Sequence, residues 1–287
     1  VNMSVRNNQD RVGVTNPDSD FPVMQDSEGD KFSFPTPTEF VELPSKGRFY
    51  PENHPLHNQE VVEIRYMTAK DEDTLTSQSL IKKGLVFDRL LQNILVDKTI
   101  NPSELLVGDK SAILIASRIT GYGSDYDVNI ACPSCGINST NLFDLEEILK
   151  INHGEDYDTN EAKLTQNGTY VVMLPLTKIA VEVKLIRGED ENNLLKSADK
   201  KKKLKLPETT LTDQFRSIVI SVDNHRELST INHVIDRMPA KDARYLRGVY
   251  TKINPRVELK GAFECENCDH VEEVDVPITV QFFWPKQ

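Results

Sequence analysis

The stretch Ala131-Cys132-Pro133-Ser134-Cys135-Gly136 decides how the rest of the chain is read. Two cysteines with two residues between them, and a glycine behind, present half the ligands that a tetrahedral metal needs. The other half lies in Glu264-Cys265-Glu266-Asn267-Cys268-Asp269. The chain has four cysteines, and these two units use them all. In a reducing compartment that arithmetic favours one four-thiolate zinc over two disulfides. A thioredoxin-like redox pair would lie near a βαβ pattern. Here both pairs are flanked by segments that read as strands, 126–131 and 141–143 around the first, 256–263 and 271–276 around the second. The expectation is a structural zinc ribbon in which Cys132, Cys135, Cys265 and Cys268 hold one Zn2+ at the turns of two hairpins. The pairs are 133 residues apart (132 to 265), well beyond the usual spacing within one ribbon.

An internal resemblance accounts for that separation. Val62-Glu63-Ile64-Arg65 and Lys70-Asp71-Glu72-Asp73-Thr74-Leu75 face Val181-Glu182-Val183-Lys184 and Glu189-Asp190-Glu191-Asn192-Asn193-Leu194 at an offset of 119 (62 to 181). Asp109 faces Asp242 at 133, the offset of the cysteine pairs. The 14-residue difference requires extra residues in the second half, with 197–212 and its run Lys200-Lys201-Lys202-Lys203 as the candidate. The expected fold is therefore α+β, two duplicated strand/helix units joined by the shared zinc. The expected division is an extended arm over 1–38, a first repeat over 39–150, and a second repeat over 151–287 with a lysine-rich insertion.

Local patterns fit that layout. Val62 to Tyr66 alternates apolar and polar residues, the period of a half-buried strand. Thr68 and Asp71 suit a helix start, and a helix from about 70 should stop at Lys82-Lys83-Gly84. Residues 86–96 form an apolar helical face, Asp109 should cap a helix over 110–120, and 212–222 and 239–253 should be the helices of the second half. Residues 1–38 are too polar and proline-punctuated to fold alone, so they read as an arm that grips a neighbouring subunit through anchors such as Val14, Phe21, Phe32 and Phe34. Residues 278–285 read as a final strand or an aromatic anchor, with core packing preferred.

Composition excludes several roles. A net charge of -11 opposes non-specific binding to nucleic acid or anionic membrane. No run has the length of a membrane-spanning helix, and 1–21 lacks the apolar centre of a signal peptide. A soluble protein of a reducing compartment is expected. Asp71-Glu72-Asp73 is explained by its helix start, and the six histidines His54, His57, His153, His225, His233 and His270 show no ligand spacing. No phosphate-binding glycine loop and no nucleophile elbow is present, so no enzyme is expected. A zinc-ribbon protein that binds nucleic acid is the alternative. The acids Glu264, Glu266, Asp269, Glu272 and Glu273 around the second pair oppose it.

Several segments together resemble the baseplate hub and hub-assembly proteins of T4-type contractile-tailed phages. They are Leu43-Pro44-Ser45-Lys46-Gly47-Arg48-Phe49-Tyr50-Pro51, Met67-Thr68-Ala69-Lys70-Asp71-Glu72-Asp73, Leu106-Val107-Gly108-Asp109-Lys110, Arg118-Ile119-Thr120-Gly121-Tyr122-Gly123-Ser124-Asp125-Tyr126 and Cys132-Pro133-Ser134-Cys135. The resemblance covers roughly 40–150. It implies a non-enzymatic virion tail protein, assembled in the host cytoplasm, with other hub and tape-measure proteins as partners in a multi-subunit assembly.

Overall fold

The computed structural model describes residues 36–154, 161–207, 209–278 and 280–283. Residues 1–35 of the expected arm lie outside this set, as do Trp284 and Pro285. The chain is mixed helix and sheet. Strand β1 (Thr38–Glu42) pairs antiparallel with β2 (Val61–Arg65), and helices α1 (Ala69–Thr76), α2 (Gln78–Lys83), α3 (Val86–Ile94) and α4 (Val107–Tyr122) follow. Next come the hairpin β3 (Asp125–Ala131) and β4 (Asn138–Asp144), the short α5 (Leu145–Ile148), and β5 (Leu149–Asn152). Strands β6 (Ala162–Leu164), β7 (Tyr170–Met173) and β8 (Ala180–Val183) lead into α6 (Gly188–Lys203), α7 (Thr210–Ile218), β9 (Val219–Val222), α8 (Leu228–Arg237) and α9 (Ala240–Ile253). The hairpin β10 (Arg256–Glu264) and β11 (Val271–Asp275) comes last, before a single turn at Val280–Phe283. The sheets run β1-β2, β6-β7-β8-β9, β3-β4 and β11-β10-β5.

Several elements form where their local chemistry directs. In β2, Val62 and Ile64 are buried and their neighbours are not. In α3, Val86, Leu90, Leu91 and Ile94 form the buried stripe of a 3.6-residue period. Gly84 ends α2 in the left-handed conformation.

The expected helix from 70 to 83 is instead broken at Ser77, whose backbone is extended. Thr74 and Thr76 bond back to carbonyls one turn earlier and Ser77 pairs with Ser79. Such hydroxyls compete with the helical ladder. The expected helix over 212–222 ends at Ile218. Val219 to Val222, rich in β-branched residues, form β9 against β8. The expected final strand is one helical turn with Phe282 and Phe283 buried, so core packing is the reading that survives for those residues.

Residues of both halves enter one apolar cluster. Backbone bonds tie them directly: Val107 N–H donates to Ile186 O and Gly188 N–H to Leu105 O. Lys110 is buried, with its ammonium 2.8 Å from Asp88 of α3 and 3.1 Å from Glu191 of α6. Burial opposes its charge, but the two carboxylates prevail and hold its pKa above the ordinary lysine value. Gly108 packs against Pro255, whose carbonyl would lie 2.1 Å from an added Cβ, so no other residue fits there without displacing backbone.

The same contacts recur in each half. Asp71 bonds the Thr68 N–H at 2.9 Å and pairs with Arg65 at 2.7 Å. Asp190 bonds the Arg187 N–H at 3.2 Å and pairs with Lys184 at 2.7 Å. Ile64 bridges to Leu95 just after α3, and Val183 pairs with Val219 just after α7.

Asp109 lies in the first turn of α4 but does not cap that helix, which begins two residues earlier. It accepts from Ser45 N at 2.9 Å, Ser45 Oγ at 2.6 Å and the Tyr50 hydroxyl at 2.8 Å. Asp242, at the same place in α9, accepts from Leu176 N at 2.8 Å, Thr177 N at 3.0 Å and Thr177 Oγ1 at 2.8 Å. Each carboxylate therefore holds the loop that follows a strand. The residue after the one held through both its backbone and its hydroxyl, Ser45 or Thr177, has a left-handed backbone in both loops, Lys46 at φ 50° and Lys178 at φ 60°.

The positions of these pairs divide the 14-residue difference. From 64 and 183 to 95 and 219 the offset rises from 119 to 124, and from there to 109 and 242 it rises to 133. The four lysines form the last turn of α6, where cations complement the partial negative charge of the helix C-terminus.

Candidate metal centre

Two hairpin turns carry the cysteines, and they are built alike. In the first, Cys132 N–H donates to Ile137 O and Gly136 N–H to Cys132 O, each at 2.9 Å. In the second, Cys265 N–H donates to His270 O and Asp269 N–H to Cys265 O, again at 2.9 Å. Both turns need a left-handed residue behind the second cysteine, supplied by Gly136 at φ 72° and Asp269 at φ 54°. Glycine adopts this without cost, and aspartate is among the few other residues that do so readily.

The hairpins bring the four sulfurs together. Cys132 Sγ lies 3.7 Å from Cys268 Sγ, and Cys135 Sγ 3.7 Å from Cys265 Sγ. All four lie within 4.8 Å of one another. A disulfide requires about 2.05 Å, so these are four thiols. A zinc bonded to four sulfurs at about 2.3 Å sets them about 3.8 Å apart. The cross-hairpin spacings therefore fit a tetrahedral thiolate site. Cys132 and Cys265 are buried on Phe263, with Ile130 and Val274 beside them, while Cys135 and Cys268 are exposed.

Crowding couples the four thiols electrically. The Ile137 N–H, and then hydrogen bonds within the cluster, hold Cys135 down to about 6. At Cys268 the His270 N–H also favours the thiolate, but desolvation and the three neighbouring thiols outweigh it and push the group up to about 12. Sulfurs this close cannot all ionise without a cation among them.

The surroundings are acidic. Glu264, Glu266, Asp269 and Glu272 are exposed around the second turn. His270 is not one of the clustered ligands, and its Nε2 lies 3.1 Å from Glu272. This opposes a nucleic-acid-binding ribbon, whose knuckles should carry cations. Asn267 donates from Nδ2 to Cys135 Sγ at 3.7 Å, across the two turns. Its position between two ligands was the available signal for such a role, but the cysteine spacing does not single it out. Among the described residues the four cysteines are the one cluster of metal-ligating side chains, and no helix is long and apolar enough to cross a membrane.

A family model described as T4 bacteriophage base plate protein matches residues 36–284. Comparison with curated proteins and with solved structures gives no match.

Proposed function

The chain belongs to the T4 bacteriophage base plate protein family, and from that premise we propose that it is a structural or assembly component of the baseplate hub, stabilised by a zinc. Family membership makes it a phage baseplate protein of the virion tail, with other baseplate proteins as its partners. The family match over 36–284 carries this reading. The finer assignment is to the centre of the baseplate, beside hub and tape-measure proteins, after assembly in the host cytoplasm. It works through protein contacts and not through catalysis.

Zinc is the proposed ion because four thiolates at tetrahedral spacing form a closed set with no position left for water. When bound, it supplies charge neutralisation and a crosslink between the two hairpins. The chain's own part is to present two sulfurs from each turn and to seat two of them on Phe263. An internal duplication is proposed as the origin of the layout. Its support is that Asp71 and Asp190 make matching contacts, that Asp109 and Asp242 do so too, and that the two turns share one backbone hydrogen-bond pattern. Sequences of further family members should then keep an acid at both 109 and 242.

Residues 1–38 are proposed as an arm that binds a neighbouring subunit. Complementation of a phage lacking this gene tests the assignment. The full chain should restore baseplates and appear at their centre in side-chain-resolution images of the tail. Deleting 1–35, which leaves β1 intact, should leave a folded, zinc-loaded chain that no longer enters baseplates. Normal assembly without the arm refutes the arm's role. Normal tails without the gene refute the hub assignment.

A further inference from the structure

The four sulfurs differ in access and in donors. Cys132 and Cys265 are buried, so reagents in solution meet Cys135 and Cys268 first. These two are not equally covered. Cys135 receives the Ile137 backbone N–H and, at 3.7 Å, the Asn267 side-chain N–H from the opposite turn. Cys268 receives the matching backbone N–H of His270. The residue matching Asn267 in the first turn is Ser134, 133 positions earlier (134 to 267). Among the described residues no side-chain amide or hydroxyl donates to Cys268, which has the Cys132 sulfur 3.7 Å away.

An N–H that donates to a thiolate withdraws electron density from the lone pair that would attack an electrophile. Outer hydrogen bonds of this kind also orient a ligand and hold it on its metal. We propose that Cys268 is the modification site of this centre, the sulfur at which soft electrophiles react first, and that Asn267 is a positioning residue that shields Cys135. This rests on the zinc reading above. With iodoacetamide the Cys268 sulfur lone pair forms a bond to the methylene carbon, the carbon–iodine bond breaks, and iodide leaves with its electron pair. The resulting thioether is uncharged and a poor ligand, so alkylation is accompanied by metal release.

The test uses the full chain, with zinc content measured first by elemental analysis. Zinc-loaded protein is treated with limiting iodoacetamide, sampled over time and mapped by mass spectrometry, while a chromophoric chelator follows zinc release. Cys268 should be carbamidomethylated several-fold faster than Cys135, and zinc release should follow Cys268. In Asn267→Ala the Cys135 rate should rise several-fold to match Cys268, whose own rate stays unchanged. Asn267→Gln, which keeps a donor, should restore part of the difference. Circular dichroism and zinc stoichiometry confirm that the variants are folded and loaded. Equal rates in the unaltered protein, earlier reaction at Cys135, or an unchanged ratio in Asn267→Ala overturns the inference and leaves the zinc reading standing. Protein that takes up no zinc overturns both.

Discussion

Replacing Asp109 by alanine removes the acceptor that fixes the loop between β1 and β2 onto α4. Three donors lose their partner: the Ser45 N–H at 2.9 Å, the Ser45 hydroxyl at 2.6 Å and the Tyr50 hydroxyl at 2.8 Å. Ser45 and Tyr50 are buried, so these groups are poorly placed to recover the loss from water. A stranded buried donor costs about 1–3 kcal/mol. The two hydroxyls keep their acceptor roles, Ser45 to Gly47 N–H and Tyr50 to Leu106 N–H, so they fall toward the lower end. One term acts the other way. Burial holds the Asp109 pKa above the ordinary carboxylate value despite its three donors, so removing the charge recovers some desolvation energy. The net expected loss is about 2–4 kcal/mol, a large part of the roughly 5–15 kcal/mol that stabilises a folded domain. Urea unfolding followed by far-ultraviolet circular dichroism measures it. The midpoint should fall by about 1–2 M with the slope unchanged. A loss below about 1 kcal/mol would show that this carboxylate does not hold the loop. Asp242→Ala provides the internal comparison, since it also strands three donors, Leu176 N, Thr177 N and Thr177 Oγ1.

Cys265→Ser should abolish zinc binding and lower the melting temperature of the whole chain, with a loss on the order of 5 kcal/mol. Elemental analysis and calorimetry check both parts, and a variant that melts unchanged contradicts a structural site. Lys110→Met leaves Asp88 with Asn192 as its polar partner at 2.8 Å and should cost about 2–4 kcal/mol in the same urea assay. Adding Asp88→Leu should recover part of that loss. The Asp71 carboxyl is raised by burial, but the Arg65 guanidinium and Thr68 prevail and hold it below its ordinary value. Its folded pKa therefore lies below the unfolded one. The stability it contributes is present above about pH 4 and is lost as the pH falls through the folded value. Asp71→Asn should be less stable than the unaltered chain at pH 7, and the gap should narrow as the pH falls below about 4.

What the sequence determined by itself was local or countable. The alternation of Val62 and Ile64, the stripe of α3 and the stop at Gly84 depend on neighbours within one or two turns. The two Cys-x-x-Cys turns were legible because each is closed by its own backbone, and because four thiols in two like pairs suggest one shared ion. The tertiary structure decided whatever depended on the other end of the chain. Val219 to Val222 extend because β8 offers a pairing edge, a preference that their own helical neighbours conceal. Asp109 turns from its own helix because Ser45 and Tyr50, 64 and 59 residues away, bring three donors to it. Arg118 shows this most clearly. Its guanidinium is fully buried, donating to the backbone carbonyls of Gly123, Asp125 and Phe282, the last 164 residues away. A charge is tolerated there because carbonyls replace its water, and only the folded chain brings those carbonyls to one place.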